Sequence, residues 1–135
     1  MENCIFCKIV KGEIPSYKVY EDKEFLAFLS IYPITDGHVL VIPKKHYKWV
    51  WDVSNIGEYY EACQKIAQAI RKAFNTEKVL SYVLGDEVPH AHVWLLPRKE
   101  GDTIQRLMDI SKTIEKEYSV EKFKKIAEMI KKELR

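Results

Sequence analysis

Residues His90–Leu96 constrain the fold strongly, because their side chains alternate in character along the segment His-Ala-His-Val-Trp-Leu-Leu. Successive side chains of a β-strand point to opposite faces, so His90, His92 and Trp94 share one face and the intervening apolar residues share the other. We expect the apolar face to pack under a helix. Titratable rings aligned on the opposite face favour a chemical role over two surface histidines placed by chance.

Other segments show strand-like patterns of apolar residues bounded by turn residues. Two of them form a predicted antiparallel hairpin, a third ends at Pro43, and a fourth joins the histidine strand through the turn Gly85-Asp86-Glu87. In chain order, the predicted strands are Tyr17–Tyr20, Glu24–Leu29, His38–Ile42, Val79–Leu84 and Val88–Leu96.

Two segments change to the periodicity of an amphipathic helix. Apolar residues recur three or four apart from Asn55 to Phe74, and Cys63 lies on this stripe, which makes it a core residue. A last helix is predicted from Ser119, with an apolar stripe that we expect to be buried: Val120, Phe123, Ile126, Ala127, Ile130 and Leu134. The chain is therefore predicted to be one α+β domain, residues 1–135, with a largely antiparallel sheet.

The charge balance excludes several classes of function. The 135 residues include 22 basic and 20 acidic side chains, a net charge of +2, which argues against binding nucleic acid or anionic membranes by bulk electrostatics. No window reaches the roughly 18 apolar residues of a membrane span. The N-terminus lacks the pattern of a secretory signal, so we expect a cytoplasmic protein whose cysteines are thiols or metal ligands.

Cys4 and Cys7 form a C-x2-C pair at the start of the chain. Two thiolates at this spacing suit tetrahedral zinc, provided that other residues complete the site. The candidates are the four histidines, His38, His46, His90 and His92. A pair of buried thiols and a redox motif are the alternatives.

Several separate motifs, in register from residue 3 to residue 98, resemble the histidine triad (HIT) superfamily. They are Cys4–Val10, Gly12–Pro15, Val19–Asp22, Gly37–His46, Val88–His92 and Leu96–Arg98. The resemblance implies a HIT-like fold, with a five-stranded antiparallel sheet, one long central helix and a C-terminal helix. It also implies a homodimer with joined sheets that breaks nucleotide substrates at the α-phosphate. Residues 102–135 match weakly and form a helical extension.

The same resemblance implies roles for individual residues. A structural zinc ion is held by Cys4, Cys7, His46 and His90, and His92 is the nucleophile. Backbone N–H groups of Gly85–Val88 bind phosphate, and the base lies among Phe6, Ile9, Phe28 and Ile31. Without the resemblance, Phe28 and Ile31 would be interpreted as core residues.

The chain departs from the family pattern at its substrate-binding positions. Trp94 replaces the third histidine of the triad, and Ser30 replaces the aspartate that holds the ribose. The turn before the triad carries Asp86 and Glu87 ahead of Val88, and the usual Asn- and Gly-rich stretch before it is missing. Two carboxylates there oppose a bound phosphate unless they point away.

Two main hypotheses follow. The first is a hydrolase or nucleotidyl transferase that forms a nucleotidyl-histidine on His92. The second is a zinc-stabilised relative with weakened or lost catalysis that binds a nucleotide or a protein partner. A redox protein using Cys4 and Cys7 is a third interpretation, disfavoured by the complete set of zinc ligands.

Overall fold

A five-stranded antiparallel sheet organises the computed structural model, which describes residues 3–135. The strands are β1 (Lys18–Glu21), β2 (Phe25–Leu29), β3 (Val39–Pro43), β4 (Val79–Tyr82) and β5 (Val93–Pro97). Their order across the sheet is β1-β2-β3-β5-β4, so β3 and β5 pair directly although the long helix separates them in the chain.

Four α-helices accompany the sheet. They are α1 (Ile5–Val10), α2 (Ile56–Ala73), α3 (Ile104–Thr113) and α4 (Val120–Leu134). The α+β class and the five-stranded antiparallel sheet expected from the sequence are confirmed. Among the described residues, no helix combines the length and the apolar character needed to cross a bilayer.

One face of the sheet packs against α2. Ala91, Val93 and Leu95 belong to this buried cluster together with Cys63, as the alternating pattern predicts. Tyr59 of α2 is fully buried, and its hydroxyl donates a 2.6 Å hydrogen bond to the Val41 carbonyl in β3. The contact satisfies the only polar atom of that side chain inside the core.

The opposite face is also covered, which the sequence did not predict. Helix α1 places Phe6 and Ile9 against a second buried cluster that contains Leu26, Phe28 and Ile42. His90 and His92 are consequently buried, with exposed fractions of 0% and 7%. The face of the sheet that carries His90 and His92 is therefore also buried.

Strand β5 begins five residues later than predicted, at Val93 in place of Val88. The segment before it cannot join the sheet ladder, since Pro89 has no N–H group and the N–H of Ala91 donates to the carbonyl of Tyr47 at 2.7 Å. The connection from β4 is therefore a long loop rather than a tight hairpin turn.

The C-terminal region differs most from expectation. The described chain divides into two compact units, one ending at Ile104 and the other spanning Gln105–Arg135. Helix α4 forms where predicted, and the Ser119 hydroxyl accepts a hydrogen bond from the N–H of Lys122 at 3.2 Å. The prediction that its apolar stripe is buried is wrong, because no residue of α4 is buried. Helix α3 lies inside the helical extension expected over residues 102–135, although its own bounds were not predicted, and the single-domain assignment stays a prediction.

Candidate functional site

The first residues of the site lie at the start of α1. Cys4 is the N-cap residue of this helix, and its sulfur accepts a 3.2 Å hydrogen bond from the N–H of Cys7. The cap fixes the helix start and holds both sulfurs at the same end of α1. Both thiols are buried, so a cation bound between them would be shielded from water.

His46 and His90 complete a four-residue cluster with these cysteines. The Nδ1 atom of His90 lies 3.2 Å from the Cys4 sulfur and 3.4 Å from the Cys7 sulfur, and His46 Nδ1 lies 3.2 Å from the Cys7 sulfur. All four donor atoms lie within 4.8 Å of one another. Two sulfur and two imidazole donors in one compact group match the ligand set of a tetrahedral metal site.

The hydrogen bonding of His90 fits a metal ligand. Its Nε2–H donates to the Pro43 carbonyl at 2.8 Å, which leaves the Nδ1 lone pair facing the cysteine sulfurs. Burial lowers the pKa of His90, so its ring is held neutral, as metal binding requires. Burial and the neighbouring Cys4 raise the pKa of Cys7 to about 11, which means that a bound cation must displace the thiol proton.

His92 has the opposite orientation. Its Nδ1–H donates to the His90 carbonyl at 2.8 Å, which in the neutral ring leaves the lone pair on Nε2. The ring packs edge-on against Phe6, with centroids 5.3 Å apart. This bond to a backbone carbonyl selects the tautomer that a nucleophilic imidazole needs.

The third triad position is part of an aromatic group. Trp94 is half-buried, and its ring lies 4.5 Å from that of His38 and 6.1 Å from that of Tyr82. His38 is only 1% exposed, and its Nδ1 accepts a 3.3 Å hydrogen bond from the N–H of Ile34. Burial lowers the pKa of His38 to about 4, which keeps this ring neutral.

The sequence did not assign His38 a place in the site beyond that of a candidate metal ligand. Within the described chain it lies outside the metal-ligand cluster and faces Trp94. The signal that could have placed His38 near Trp94 is its position directly before β3, next to Gly37. Strand β3 pairs with β5, and Leu40 lies opposite Trp94.

The residues expected to hold the base are only partly together. Phe6, Ile9 and Phe28 share the buried cluster under α1, and the rings of Phe6 and Phe28 are 5.7 Å apart. Val88 and Trp94 pack against the same cluster. Ile31 does not join them, since it is 65% exposed.

The polar positions lie at the edge of this region. The Ser30 hydroxyl accepts a 3.2 Å hydrogen bond from the N–H of Tyr32, and the N–H of Ser30 donates to the His38 carbonyl at 2.9 Å. Asp86 and Glu87 are exposed. Gly85 has a φ of +83°, and a Cβ there would lie 3.1 Å from the Trp49 ring, so both backbone conformation and space favour glycine.

Comparisons with known proteins identify the family. The model of the HIT domain family matches residues 11–101, most of the chain. The chain belongs to the HIT family. Its histidines at positions 46, 90 and 92 lie inside the matched region, whereas Cys4 and Cys7 precede it.

Individual HIT proteins are similar over much of the chain. The Bacillus subtilis "Protein hit" is 42% identical over 98% of this chain and 95% of its own length. An adenosine 5'-monophosphoramidase of Saccharomyces cerevisiae is 40% identical over 72% of this chain and 63% of its own length. A Streptococcus mutans protein of known crystal structure is 35% identical and superposes with a TM-score of 0.85, covering 100% of this chain and 87% of that one.

Proposed function

We propose that this HIT protein is a nucleotide hydrolase or nucleotidyl transferase that attacks the α-phosphate through His92. The observation that carries the proposal is the 2.8 Å hydrogen bond from His92 Nδ1–H to the His90 carbonyl, which leaves Nε2 as a neutral nucleophile. Attack by Nε2 gives a nucleotidyl-histidine, and water or a second acceptor then takes the nucleotidyl group. The phosphoramidase activity named for the similar yeast protein supports a substrate of this class.

The substrate is proposed to lie between the apolar cluster and the loop before His90. Phe6, Ile9 and Phe28 offer apolar surface to a base, and Ile31 lies outside that cluster as an exposed flanking residue. Phosphate would be bound by backbone N–H groups of Gly85–Val88. Ser30, Glu87, Val88 and Trp94 are the remaining proposed substrate contacts.

Trapping the intermediate tests this function. The protein is mixed with dinucleotides, quenched rapidly and analysed by peptide mass spectrometry. We expect one nucleotidyl group on the peptide that contains His92, together with release of AMP. His92→Ala should lose both signals, and equal turnover by this variant would contradict the proposal.

The metal proposed for the four-residue cluster is zinc. Cys4, Cys7, His46 and His90 would hold it, and its chemistry would be structural, because four protein ligands leave no position for water. Elemental analysis should find about one zinc per chain in the purified protein. Cys7→Ser should lose the metal, whereas Cys63→Ala, which removes the thiol of the α2 core, should retain it.

A second candidate function is a catalytically weakened relative that binds a nucleotide or a protein partner. It is favoured by Trp94 at the third triad position and by the exposed carboxylates of Asp86 and Glu87 in the turn. Calorimetry with AMP distinguishes the two functions, because tight binding without turnover of any nucleotide substrate supports the second. A homodimer and a cytoplasmic location belong to both proposals.

A further inference from the structure

We propose that the His92 site is selective for nucleotidyl substrates whose leaving group departs as a stable anion, such as sulfate, carboxylate or phosphate. This inference rests on the proposed function and names the substrate class of that same site. Its basis is the aromatic pair of Trp94 and His38, which lies next to His92 and supplies no proton to a leaving group.

Trp94 follows His92 by two residues and lies at the start of β5. Residues two apart in an extended chain lie roughly 7 Å apart on the same side, so Trp94 is the next side chain after His92 on that face. The ring of His92 packs against that of Phe6, and Trp94 packs against the buried cluster that contains Phe6 and Phe28. The His38 ring lies 4.5 Å from that of Trp94.

Neither ring can act as a general acid that protonates the leaving group. The indole N–H of Trp94 donates hydrogen bonds, but it neither gives up its proton nor accepts one near neutral pH. His38 accepts from Ile34 at Nδ1, so its single proton is on Nε2, and burial keeps the pKa of the ring at about 4. Within the described chain His38 Nε2 is buried without a protein hydrogen-bond partner.

The displacement then has a defined balance. The Nε2 lone pair of His92 forms a bond to phosphorus while the bond to the leaving group breaks, and the leaving group keeps that electron pair. The Nδ1 proton stays on His92, donated to the His90 carbonyl, and the ring carries the positive charge. Water next attacks phosphorus, the electron pair of the N–P bond returns to Nε2, and one proton passes to solvent.

Such a step favours leaving groups that are stable as anions. Sulfate and carboxylate depart without a proton, whereas an amine must be protonated as its bond to phosphorus breaks. A positioned general acid contributes about 10² to 10⁴-fold to such steps. Without one, the rate of the chemical step should depend steeply on the acidity of the leaving group.

A series of aryl esters of AMP tests this dependence in the native protein. Single-turnover rates are measured for esters from 4-nitrophenol to phenol, so that product release does not mask the chemical step. We expect the phenyl ester to react at least about 10²-fold more slowly than the 4-nitrophenyl ester. A ratio below about tenfold would overturn the inference.

Two substitutions sharpen the test. Trp94→His places a titratable ring at the third position and should reduce the ratio to below about tenfold, whereas Trp94→Phe should leave it unchanged. Tyr82, whose ring lies 6.1 Å from Trp94, is the neighbouring hydroxyl to exclude. If Tyr82→Phe slows the phenyl ester selectively, Tyr82 donates a proton and the inference is wrong.

The outcomes separate this inference from the proposed function. Absence of turnover with every ester contradicts the proposed function and the inference together. Turnover that depends on His92 but is insensitive to the acidity of the phenol leaves the proposed function standing and overturns the inference alone.

Discussion

His90 and His92 carry the same ring but present different nitrogen atoms. His90 donates from Nε2 to the Pro43 carbonyl and frees Nδ1, whereas His92 donates from Nδ1 to the His90 carbonyl and frees Nε2. Each backbone carbonyl therefore decides which nitrogen is available, and the two free nitrogens suit a metal ligand and a nucleophile. The alternation of the sequence predicts that both rings share a face, but the choice of nitrogen depends on carbonyls brought near by folding.

Burial of His38 makes the folding stability sensitive to acid. Its pKa lies at about 4 in the folded protein, below the ordinary value of 6.5, so between these values the unfolded chain binds the proton more readily. Stability is therefore present above pH 6.5 and is lost as the pH falls towards 4, by at most about 3 kcal/mol. His38→Gln should reduce this dependence and leave the part that comes from His90, whose pKa burial also lowers.

The measurement is urea unfolding of both proteins from pH 7 to pH 4. Both are treated with a chelator, so that protonation of the cysteine and histidine ligands does not add a metal-release term. If the His38→Gln protein loses as much stability on acidification as the parent, another group causes the acid sensitivity.

Among the secondary-structure elements, α1 depends most on its surroundings. It has six residues, too few for an isolated helix to be stable in water. The Cys4 cap and the burial of Phe6 and Ile9 hold it against the sheet. A metal bound by Cys4 and Cys7 would link it additionally to His46 and His90, which come from distant parts of the chain.

Removal of the metal should therefore loosen this element first. After chelation, we expect faster hydrogen exchange at the amides of Lys8 and Lys11, which donate to the carbonyls of Cys4 and Cys7. We expect little change in the β2–β3 ladder. The melting temperature should fall in the same sample. Unchanged exchange in α1 after verified metal loss would show that packing alone holds the helix.

Elements with strong periodicity were predictable, and those fixed by distant contacts were not. Helix α2 and strands β2 and β3 follow the predicted segments closely, because their apolar periods coincide with their burial. Helix α1 was missed, since six residues do not complete two turns of a stripe. The delayed start of β5 follows from the bond between Ala91 and Tyr47, which no local pattern shows.

Over the whole molecule, burial is concentrated in the unit that ends at Ile104. Its sheet packs apolar side chains on both faces, whereas no side chain of Gln105–Arg135 is buried. The apolar period of α4 predicts a helix correctly but does not predict burial, because a stripe is buried only where another element opposes it. The four residues that the resemblance names as metal ligands, by contrast, do lie together in one cluster.

Substitution of two isoleucines, one in each unit, tests whether the two units differ in how much burial stabilises them. Ile42 is 0% exposed and Ile130 is 59% exposed. We expect Ile42→Ala to lower the free energy of unfolding by about 2 to 5 kcal/mol and Ile130→Ala to change it by less than about 0.5 kcal/mol. Chemical denaturation of both variants at two protein concentrations is the measurement. A large, concentration-dependent loss at Ile130 would show that a second molecule covers α4 in solution.

Removal of the third cysteine, Cys63, allows the thiols of Cys4 and Cys7 to be labelled alone. Cys63 is 5% exposed in the α2 core, and burial raises the pKa of its thiol to about 12, so it reacts slowly with alkylating reagents in the native protein. Cys4 and Cys7 are buried as well, so a Cys63→Ala protein, which keeps only these two thiols, assigns the labelling to them. With zinc bound as proposed, the labelling rate of the folded Cys63→Ala protein would measure how often the metal leaves the Cys4–Cys7–His46–His90 cluster.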